Sequence, residues 1–475
     1  MSSIKHKLEE IAYYSSLINP LIPKKYRICR SFAREAHKYY DFLEESQWWP
    51  KEKLKEYQSE KLKKLIRYAF EKAPYYNNLL KQNNLTPDDI RSIEDIKKLP
   101  ILNKDIIRKH SKKILSSEIS DRKACLARTG ASTGEPLVFY LDKKANDLAW
   151  AAFFRFLCWT GYRWGDKIAL FWRTPEELKK HGKWYQNIAD WLKASYVINL
   201  KHFDAFKMSE NHFANYAAEL QQYQPDIIRG YPSAIIYFTN YCIENNIKGI
   251  QPKAITTTAE PLFKREQKLL ENYYKCKVFD HYGCGEVYSV AFECEKHSGL
   301  HITAEHVIVE IIDDYGNSLN DGQEGRVILT DLDNLMMPFI RYENGDIGSF
   351  RKGSCACGRT LPLMNHVNGR VFGLIRGVNG NVVHGEFFAD LLQDIGWYEA
   401  YDLTHFEVVQ KTIGGFDCNF VCSKIPNKKA IEEFKDRCFQ YFGYMNITMN
   451  FIDSIPLTPA GKRRNTRSEI DPIRT

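Results

Sequence analysis

Between residues 167 and 279 short apolar runs alternate with amphipathic stretches of helical period. The runs 167–172, 196–200, 226–229, 254–258 and 277–279 read as strands, and 150–157, 212–223, 233–245 and 263–273 read as helices. Such alternation predicts a mostly parallel sheet covered by helices, with ligands at the carboxyl ends of its strands. Three turn-rich loops follow these strands: Gly230-Tyr231-Pro232-Ser233, Thr258-Ala259-Glu260-Pro261 and Tyr282-Gly283-Cys284-Gly285-Glu286. If the strands run parallel, the three loops open on one edge.

Residues 1–100 read as helices with charged outer faces. Leu62, Leu65, Ile66, Ala69 and Phe70 recur at helical spacing before Pro74 stops the run. Thr86-Pro87-Asp88-Asp89 and Ser92-Ile93-Glu94-Asp95 are helix starts, a capping hydroxyl followed by acid in the first turn. A strand is expected over 137–141. Beyond residue 300 the pattern turns strand-rich, at 306–312 and 325–331. From residue 369 a smaller unit follows, with strands 403–410 and 416–422, a helix 428–442 and a strand 446–451. The expected fold class is α/β: a large N-terminal domain with helix-covered, mostly parallel sheets and a β-rich subdomain, then a small α+β C-terminal domain. The expected divisions are a helical region 1–100, the rest of the large domain 101–369, and a lobe 370–475.

Length supports several cores, since 475 residues exceed the roughly 250–300 at which one core stops growing. A net charge of +8, from 67 basic and 59 acidic residues, suits an anionic small ligand or a weak contact with a membrane surface. No block is basic enough for nucleic acid. Twelve cysteines are too dilute for a disulfide scaffold. The first ten residues are highly charged and precede no secretory apolar core. The run 11–22 is too short to span a bilayer and contains Pro20, so it rests on a membrane or caps the fold. A cytoplasmic, soluble protein is expected.

The run Tyr282-Gly283-Cys284-Gly285-Glu286 combines a strand end, a turn with little side-chain bulk, and a carboxylate suited to a metal-bound phosphate. The loop Arg128-Thr129-Gly130-Ala131-Ser132-Thr133-Gly134-Glu135-Pro136 offers backbone N–H groups and hydroxyls to phosphate oxygens. It is not a P-loop, because no Gly-Lys-Ser/Thr follows. Cys294, His301, Cys355 and Cys357 supply three thiolates and an imidazole, a tetrahedral structural zinc set. His297, at Cys-x2-His spacing, is the competing imidazole.

These motifs, in this order, resemble the adenylate-forming (acyl-activating) superfamily. They resemble most its phenylacetate–CoA ligase-like branch, including relatives associated with capsule and other surface-polysaccharide biosynthesis. Lys72-Ala73-Pro74-Tyr75-Tyr76 and Lys97-Lys98-Leu99-Pro100-Ile101 are its early signature. The resemblance implies that Thr129, Ser132, Thr133 and Gly134 belong to the phosphate loop, in which Gly130 and Ala131 replace the usual Ser and Gly. It implies that Ala259 and Glu260 border the adenine, that Tyr282 and Gly283 lie near it, and that Glu286 binds magnesium. Gly285 stands where the family has Thr. Asp346, in Tyr342-Glu343-Asn344-Gly345-Asp346, is implied to hold the ribose hydroxyls, and Arg370 to precede the hinge of a mobile C-terminal lobe. Phe372 and Gly373 occupy the positions of the hinge Asp. Lys462, in Gly461-Lys462, is implied to meet the carboxylate and α-phosphate during adenylation. The preference for His301 in the zinc set also comes from the family's Gly-Leu-His position.

The implied activity is ATP- and magnesium-dependent activation of a carboxylic acid as an acyl-adenylate, catalysed by Glu286 and Lys462, with transfer to coenzyme A. Transfer to an amine in surface-polysaccharide assembly is the alternative. A non-catalytic nucleotide-binding protein derived from the family is the second alternative.

Overall fold

The structure, a computed structural model, describes residues 34–119, 124–128, 137–163, 165–172, 199–367, 374–385, 387–455 and 466–470. Its first helices are α1 (Arg34–Ser46), α2 (Lys51–Lys72) and α3 (Pro74–Gln82). Pro74 both ends one helix and starts the next: Ala73 is forced into an extended conformation, and the proline ring fits the first helical position of α3. The starts expected at Thr86 and Ser92 are short 3-10 turns, each closed by a capping box, with Asp89 and Asp95. Asn103 then caps α4 (Lys104–Ile114), accepting from the Ile106 N–H at 2.9 Å.

A hairpin, β1 (Ala124–Arg128) with β2 (Val138–Asp142), leads into α5 (Lys143–Trp159). There follow β3 (Ile168–Trp172), β4 (Leu200–Asp204), α6 (Glu210–Tyr223), β5 (Ile227–Gly230), α7 (Pro232–Glu244), β6 (Ala254–Thr258), α8 (Lys264–Tyr274) and β7 (Lys277–Tyr282). The antiparallel part comprises β8 (Ala291–Glu293), β9 (Leu300–Ile302), β10 (Val307–Ile312), β11 (Gly325–Asp331), β12 (Tyr342–Gly348) and β13 (Leu363–Met364). One sheet of eight strands runs β13-β9-β8-β7-β6-β5-β3-β4. Its members β4, β3, β5, β6 and β7 are parallel, as the alternation of strand and helix requires, and the three short strands beyond β7 are antiparallel. A second sheet, β10-β11-β12, is antiparallel throughout.

Side chains alternate across the parallel strands, so each strand feeds two cores. Ile168, Ile227, Ala254 and Phe279 pack against Phe154, Phe156 and Leu157 of α5. Ala169, Phe171, Ile228, Ile255 and Val278 pack on the opposite side with Phe213, Ile235, Phe238 and Leu270 of α6, α7 and α8. Each buried Val, Leu, Ile or Phe side chain among them contributes about 1.5–3 kcal/mol. The helices α2 and α3 share a third core with the second sheet, through Leu62, Leu65, Tyr76, Val307, Val327 and Tyr342.

The chain continues with β14 (Leu374–Arg376), β15 (Val382–His384), α9 (Phe387–Asp394), α10 (Trp397–Ala400), β16 (Leu403–Thr412), β17 (Gly415–Cys422), α11 (Lys428–Phe442), β18 (Asn446–Phe451) and β19 (Thr466–Ser468). The last four strands form a sheet in the order β18-β17-β16-β19. Ile375, Phe388, Trp397, Phe406, Phe420, Phe434 and Phe442 gather into a core of their own, joined by Phe206 from the segment after β4.

Sequence and structure differ mainly at element edges. The strand expected over 277–279 runs on to Tyr282, so that tyrosine closes a strand instead of opening a loop. Most of the strand expected over 196–200 lies outside the described residues, and β4 begins at Leu200. Residues 342–346, read as a motif between elements, are the first part of β12. Among the described residues no helix is long and apolar enough to cross a membrane; the run 11–22 lies outside them.

Candidate functional site

The three loops after β5, β6 and β7 do open on one edge. In the parallel ladder Gly230 stands level with Thr257, and Thr258 with His281, so the strands end within about a residue of one another. Gly230 is required there: a Cβ would lie 2.3 Å from the Phe171 carbonyl oxygen of the neighbouring strand. After β6, Ala259 is held at φ +71°, a left-handed conformation that costs a non-glycine residue of the order of 1 kcal/mol and marks sites where the surrounding fold dictates the backbone. Glu260 reaches back from this turn to the start of α7. Its carboxylate accepts from the Ser233 N–H at 2.9 Å and from the Ser233 hydroxyl at 3.0 Å, complementing the helix N-terminus.

Past β7 the backbone folds tightly, with the Cys284 N–H donating to the Val287 carbonyl at 3.2 Å. A Cβ on Gly283 would stand 3.3 Å from the Ser289 nitrogen, so the loop has little room for a side chain there. Glu286 is buried, and its Oε1 accepts a hydrogen bond from the Tyr342 hydroxyl. Lys104 Nζ stands 3.5 Å from the same oxygen. Tyr282 points to Asp346: its hydroxyl donates to Asp346 Oδ2 at 3.1 Å, and Asn344 Nδ2 donates to both, at 2.7 Å each. Burial, reinforced by Asp346, raises the Tyr282 phenol well above its usual range, so it stays a donor at neutral pH.

The sequence reading did not single out Lys104. Its placement depends on a tertiary contact: Leu102 exchanges backbone hydrogen bonds with β12, donating to Arg341 O at 2.9 Å and accepting from Glu343 N at 2.8 Å. Asn103, which caps the helix that Lys104 opens, is the local signal in the sequence. The structure thus brings Glu286, Tyr282, Gly283 and Asp346 together, with Ala259 and Glu260 on the adjacent loop. Thr129, Ser132, Thr133, Gly134, Arg370 and Lys462 lie outside the described residues.

A second cluster lies on the antiparallel side of the main sheet. Cys294 follows β8, His301 sits on β9, and a turn from Cys355, closed by Gly358 N–H on Cys355 O at 3.1 Å, precedes β13. The ligand atoms of Cys294, His301, Cys355 and Cys357 all lie within 4.8 Å of one another. Cys294 Sγ is 3.5 Å from Cys355 Sγ, and Cys357 Sγ is 3.4 Å from His301 Nε2. Tetrahedral zinc with about 2.3 Å bonds to sulfur needs sulfur atoms about 3.8 Å apart, close to these separations. Burial, with Arg359 adding to it, pulls His301 down to about 4, keeping the imidazole in its neutral, metal-binding form. Burial opposes ionisation of Cys355, but the Cys357 N–H and the neighbouring sulfurs outweigh it and lower its thiol. His297 is outside this group; its Nδ1 faces Glu293 Oε1 at 3.3 Å, and its ring lies 4.7 Å from that of Phe279.

Not every aromatic residue near the sheet edge faces the site. Phe139 is fully buried against Phe339 at 5.8 Å. Trp172 and Tyr231 stack at 4.1 Å and 8° where β3 and β5 end.

The loops of the parallel sheet thus gather a buried carboxylate, a tyrosine–aspartate pair and a lysine on one edge. No family model matches the chain. It is 28% identical to the phenylacetate-coenzyme A ligase of Thermus thermophilus over 341 residues, 70% of this chain and 74% of that protein. It is 24% identical to Protein CapK of Staphylococcus aureus over 427 residues, 86% of this chain and 88% of that protein. A solved 2-hydroxyisobutyryl-CoA ligase, in complex with 2-HIB-AMP and CoA in the thioesterification state, shares its fold at a TM-score of 0.61 and 19% identity, over 90% of this chain and 94% of that one. The chain is thus similar in sequence to phenylacetate-coenzyme A ligases and to Protein CapK, and it shares the fold of a solved acyl-CoA ligase.

Proposed function

We propose that this protein is an AMP-forming ligase that joins a carboxylic acid to ATP's α-phosphate, releases pyrophosphate, and passes the acyl group to coenzyme A. The observation that carries this is Glu286, a carboxylate buried at the carboxyl edge of the parallel sheet and anchored by Tyr342 and Lys104. The likeness to phenylacetate-coenzyme A ligases supports coenzyme A as acceptor. Adenylation brings an anionic carboxylate to an anionic phosphate, so nearby positive charge must offset their repulsion. Glu286 offers the hard oxygen that magnesium takes, usually one or two carboxylates plus substrate phosphates. That ion, when bound, would neutralise charge developing on the pyrophosphate. Lys104 adds a fixed cation on the same side, and Lys462 would supply another from the C-terminal lobe. Tyr282 and Asp346 would orient the nucleoside, Asp346 by accepting from the ribose hydroxyls. The phosphate loop with Thr129, Ser132, Thr133 and Gly134, and Arg370 before the lobe 370–475, belong to the same reading. The separate apolar core around Trp397 and Phe434 supports that lobe.

The cluster of Cys294, His301, Cys355 and Cys357 suits a structural zinc ion, because all four protein ligands are present and leave no position for substrate.

Acid-dependent ATP–pyrophosphate exchange over aryl, aliphatic and amino acids tests the reading. Exchange is expected with at least one acid and nearly lost in Glu286→Ala and Lys462→Ala, each costing about 3–4 kcal/mol of transition-state stabilisation. Nucleotide binding without exchange for any acid would favour a non-catalytic protein. Product analysis with coenzyme A and with amines present together separates the two acceptors.

A further inference from the structure

Just inside the edge that carries Glu286, one face of the main sheet presents three polar atoms with no partner. They are Arg229 Nη1 on β5, Thr256 Oγ1 on β6 and His281 Nε2 on β7, each buried. Arg229 and Thr256 are direct neighbours in the β5–β6 register, and His281 is level with Thr258, two residues further along β6. All three therefore point to the α5 side of the sheet. That side is aromatic. The Arg229 guanidinium lies 4.2 Å from the Phe153 ring centre, and His281 stacks on Phe292 at 4.5 Å and 20°.

The polarity of the cluster is one-sided. Arg229 Nη2 approaches His281 Nδ1 at 3.4 Å; a guanidinium can only donate, so Nδ1 accepts and the imidazole proton sits on Nε2. Burial, with Arg229 beside it, holds His281 well below its usual value, so the ring is neutral. Burial also lowers Arg229, to about 10, which leaves it a cation at neutral pH. No carboxylate among the described residues pairs with it. Arg229 Nη1, His281 Nε2 and the Thr256 hydroxyl are thus three donors around one uncompensated positive charge. A buried cation without a counter-ion is costly, and an anion from outside removes that cost. His281 Nε2 is also 3.4 Å from where a Gly283 Cβ would stand, which puts the cluster directly beneath the Tyr282–Glu286 loop.

We propose that the acid this protein activates carries a second carboxylate, which Arg229, His281 and Thr256 bind while the first is adenylated at the edge above. The substrate class is a compact dicarboxylic acid. This deepens, and rests on, the adenylation reading given above.

The test compares matched pairs on the full-length protein: glutarate with valerate, adipate with hexanoate, and isophthalate with benzoate. Each is assayed for ATP–pyrophosphate exchange and, separately, for thermal stabilisation without nucleotide. Wild type should favour at least one dicarboxylate over its partner by about 10-fold or more in kcat/KM. Arg229→Met should lower kcat/KM for that dicarboxylate by about 30-fold or more, with the monocarboxylate little changed. His281→Phe, which keeps the ring stack, and Thr256→Val, which is nearly isosteric, should each reduce the preference; they serve if the arginine variant does not fold. Equal or better use of monocarboxylates by wild type, or an arginine variant that affects both members of a pair alike, overturns the proposal. If no acid supports exchange, the adenylation reading fails, and the thermal arm decides the anion site alone. Stabilisation of wild type but not Arg229→Met by a dicarboxylate supports it, and its absence overturns it.

Discussion

The Tyr342 hydroxyl donates to Oε1 of Glu286, joining residues 56 positions apart in one buried contact. One is on the second, antiparallel sheet and the other on a loop of the main sheet, so the candidate site is built where the two sheets meet. Tyr342 is also fixed by its ring, which packs edge-on to Phe339 at 5.2 Å. Tyr342→Phe should therefore keep the fold and remove only the donor. A hydrogen bond to a charged group is worth about 1.5–3 kcal/mol, so pyrophosphate exchange should fall roughly 10- to 100-fold, with a higher magnesium requirement. Exchange at the wild-type rate would mean that Glu286 needs no such anchor.

Lys104 approaches the same oxygen from α4, whose start is tied to β12 through Leu102. Lys104→Met removes its charge while keeping the apolar stem. The expected outcome is a raised KM for ATP and slower exchange, with some loss of thermal stability because the buried Glu286 carboxylate loses its neighbouring cation. A variant with wild-type KM and rate would remove Lys104 from the site.

The parallel ladder β5, β6 and β7 was legible because each apolar run is bounded by turn residues and separated by a helix of clear period. Tyr282 and Glu286 stand in one local turn motif and Asp346 in a motif that the family resemblance singles out; the structure brings Tyr282 to Asp346 and places Glu286 on the loop after the same strand. The rest depends on pairings that no local pattern encodes. The strands β8 and β9 are three residues each, too short to show a period, yet they bring Cys294 and His301 to the turn at Cys355. Lys104 reaches Glu286 only through the bridge at Leu102. Arg229 ends a short apolar run, and nothing in the sequence says that Thr256 and His281 will share its face until the registers are known.

The cysteine cluster predicts a metal-dependent fold. Purified protein should contain about one zinc per chain, and Cys355→Ser should lose it and melt at a lower temperature. His301→Ala should behave similarly, whereas His297→Ala should retain the metal. Metal-free protein with wild-type stability in the Cys355 variant would count against the site.

Arg155 and Glu305 form an ion pair with both side chains fully buried, at 2.7 Å. Arg155 also donates to the Leu43 carbonyl at 2.8 Å, and the Ser46 hydroxyl donates to Glu305 at 2.6 Å, so the pair fastens α1 to the large core. Arg155→Met strands a buried carboxylate and should destabilise by about 3–5 kcal/mol. The double variant Arg155→Met/Glu305→Leu should recover much of the loss in a thermal melt. No recovery would show that packing around Arg155, and not the unpaired charge, is what the single variant destroys.

The pair His306–Asp333 gives a prediction with a defined pH window. Nδ1 of His306 lies 2.9 Å from Asp333 Oδ2, and Lys61 reaches the same carboxylate at 2.6 Å. Burial alone would lower the His306 imidazole, but Asp331 and Asp333 outweigh it and raise it. Burial would raise Asp333, but Lys61 and His306 hold it low. A raised histidine stabilises the fold below its unfolded value, about 6.5, and that contribution is lost as pH rises through the higher folded value. A depressed carboxylate stabilises above its unfolded value, about 3.9, and its contribution is lost as pH falls through the lower folded value. The stability difference between wild type and His306→Gln should therefore be largest between about pH 4 and 6.5, and shrink on both sides. Melting both proteins across pH 3–9 reads this directly, and a difference that stays constant from about pH 5 to 9 would show that His306 does not change charge there.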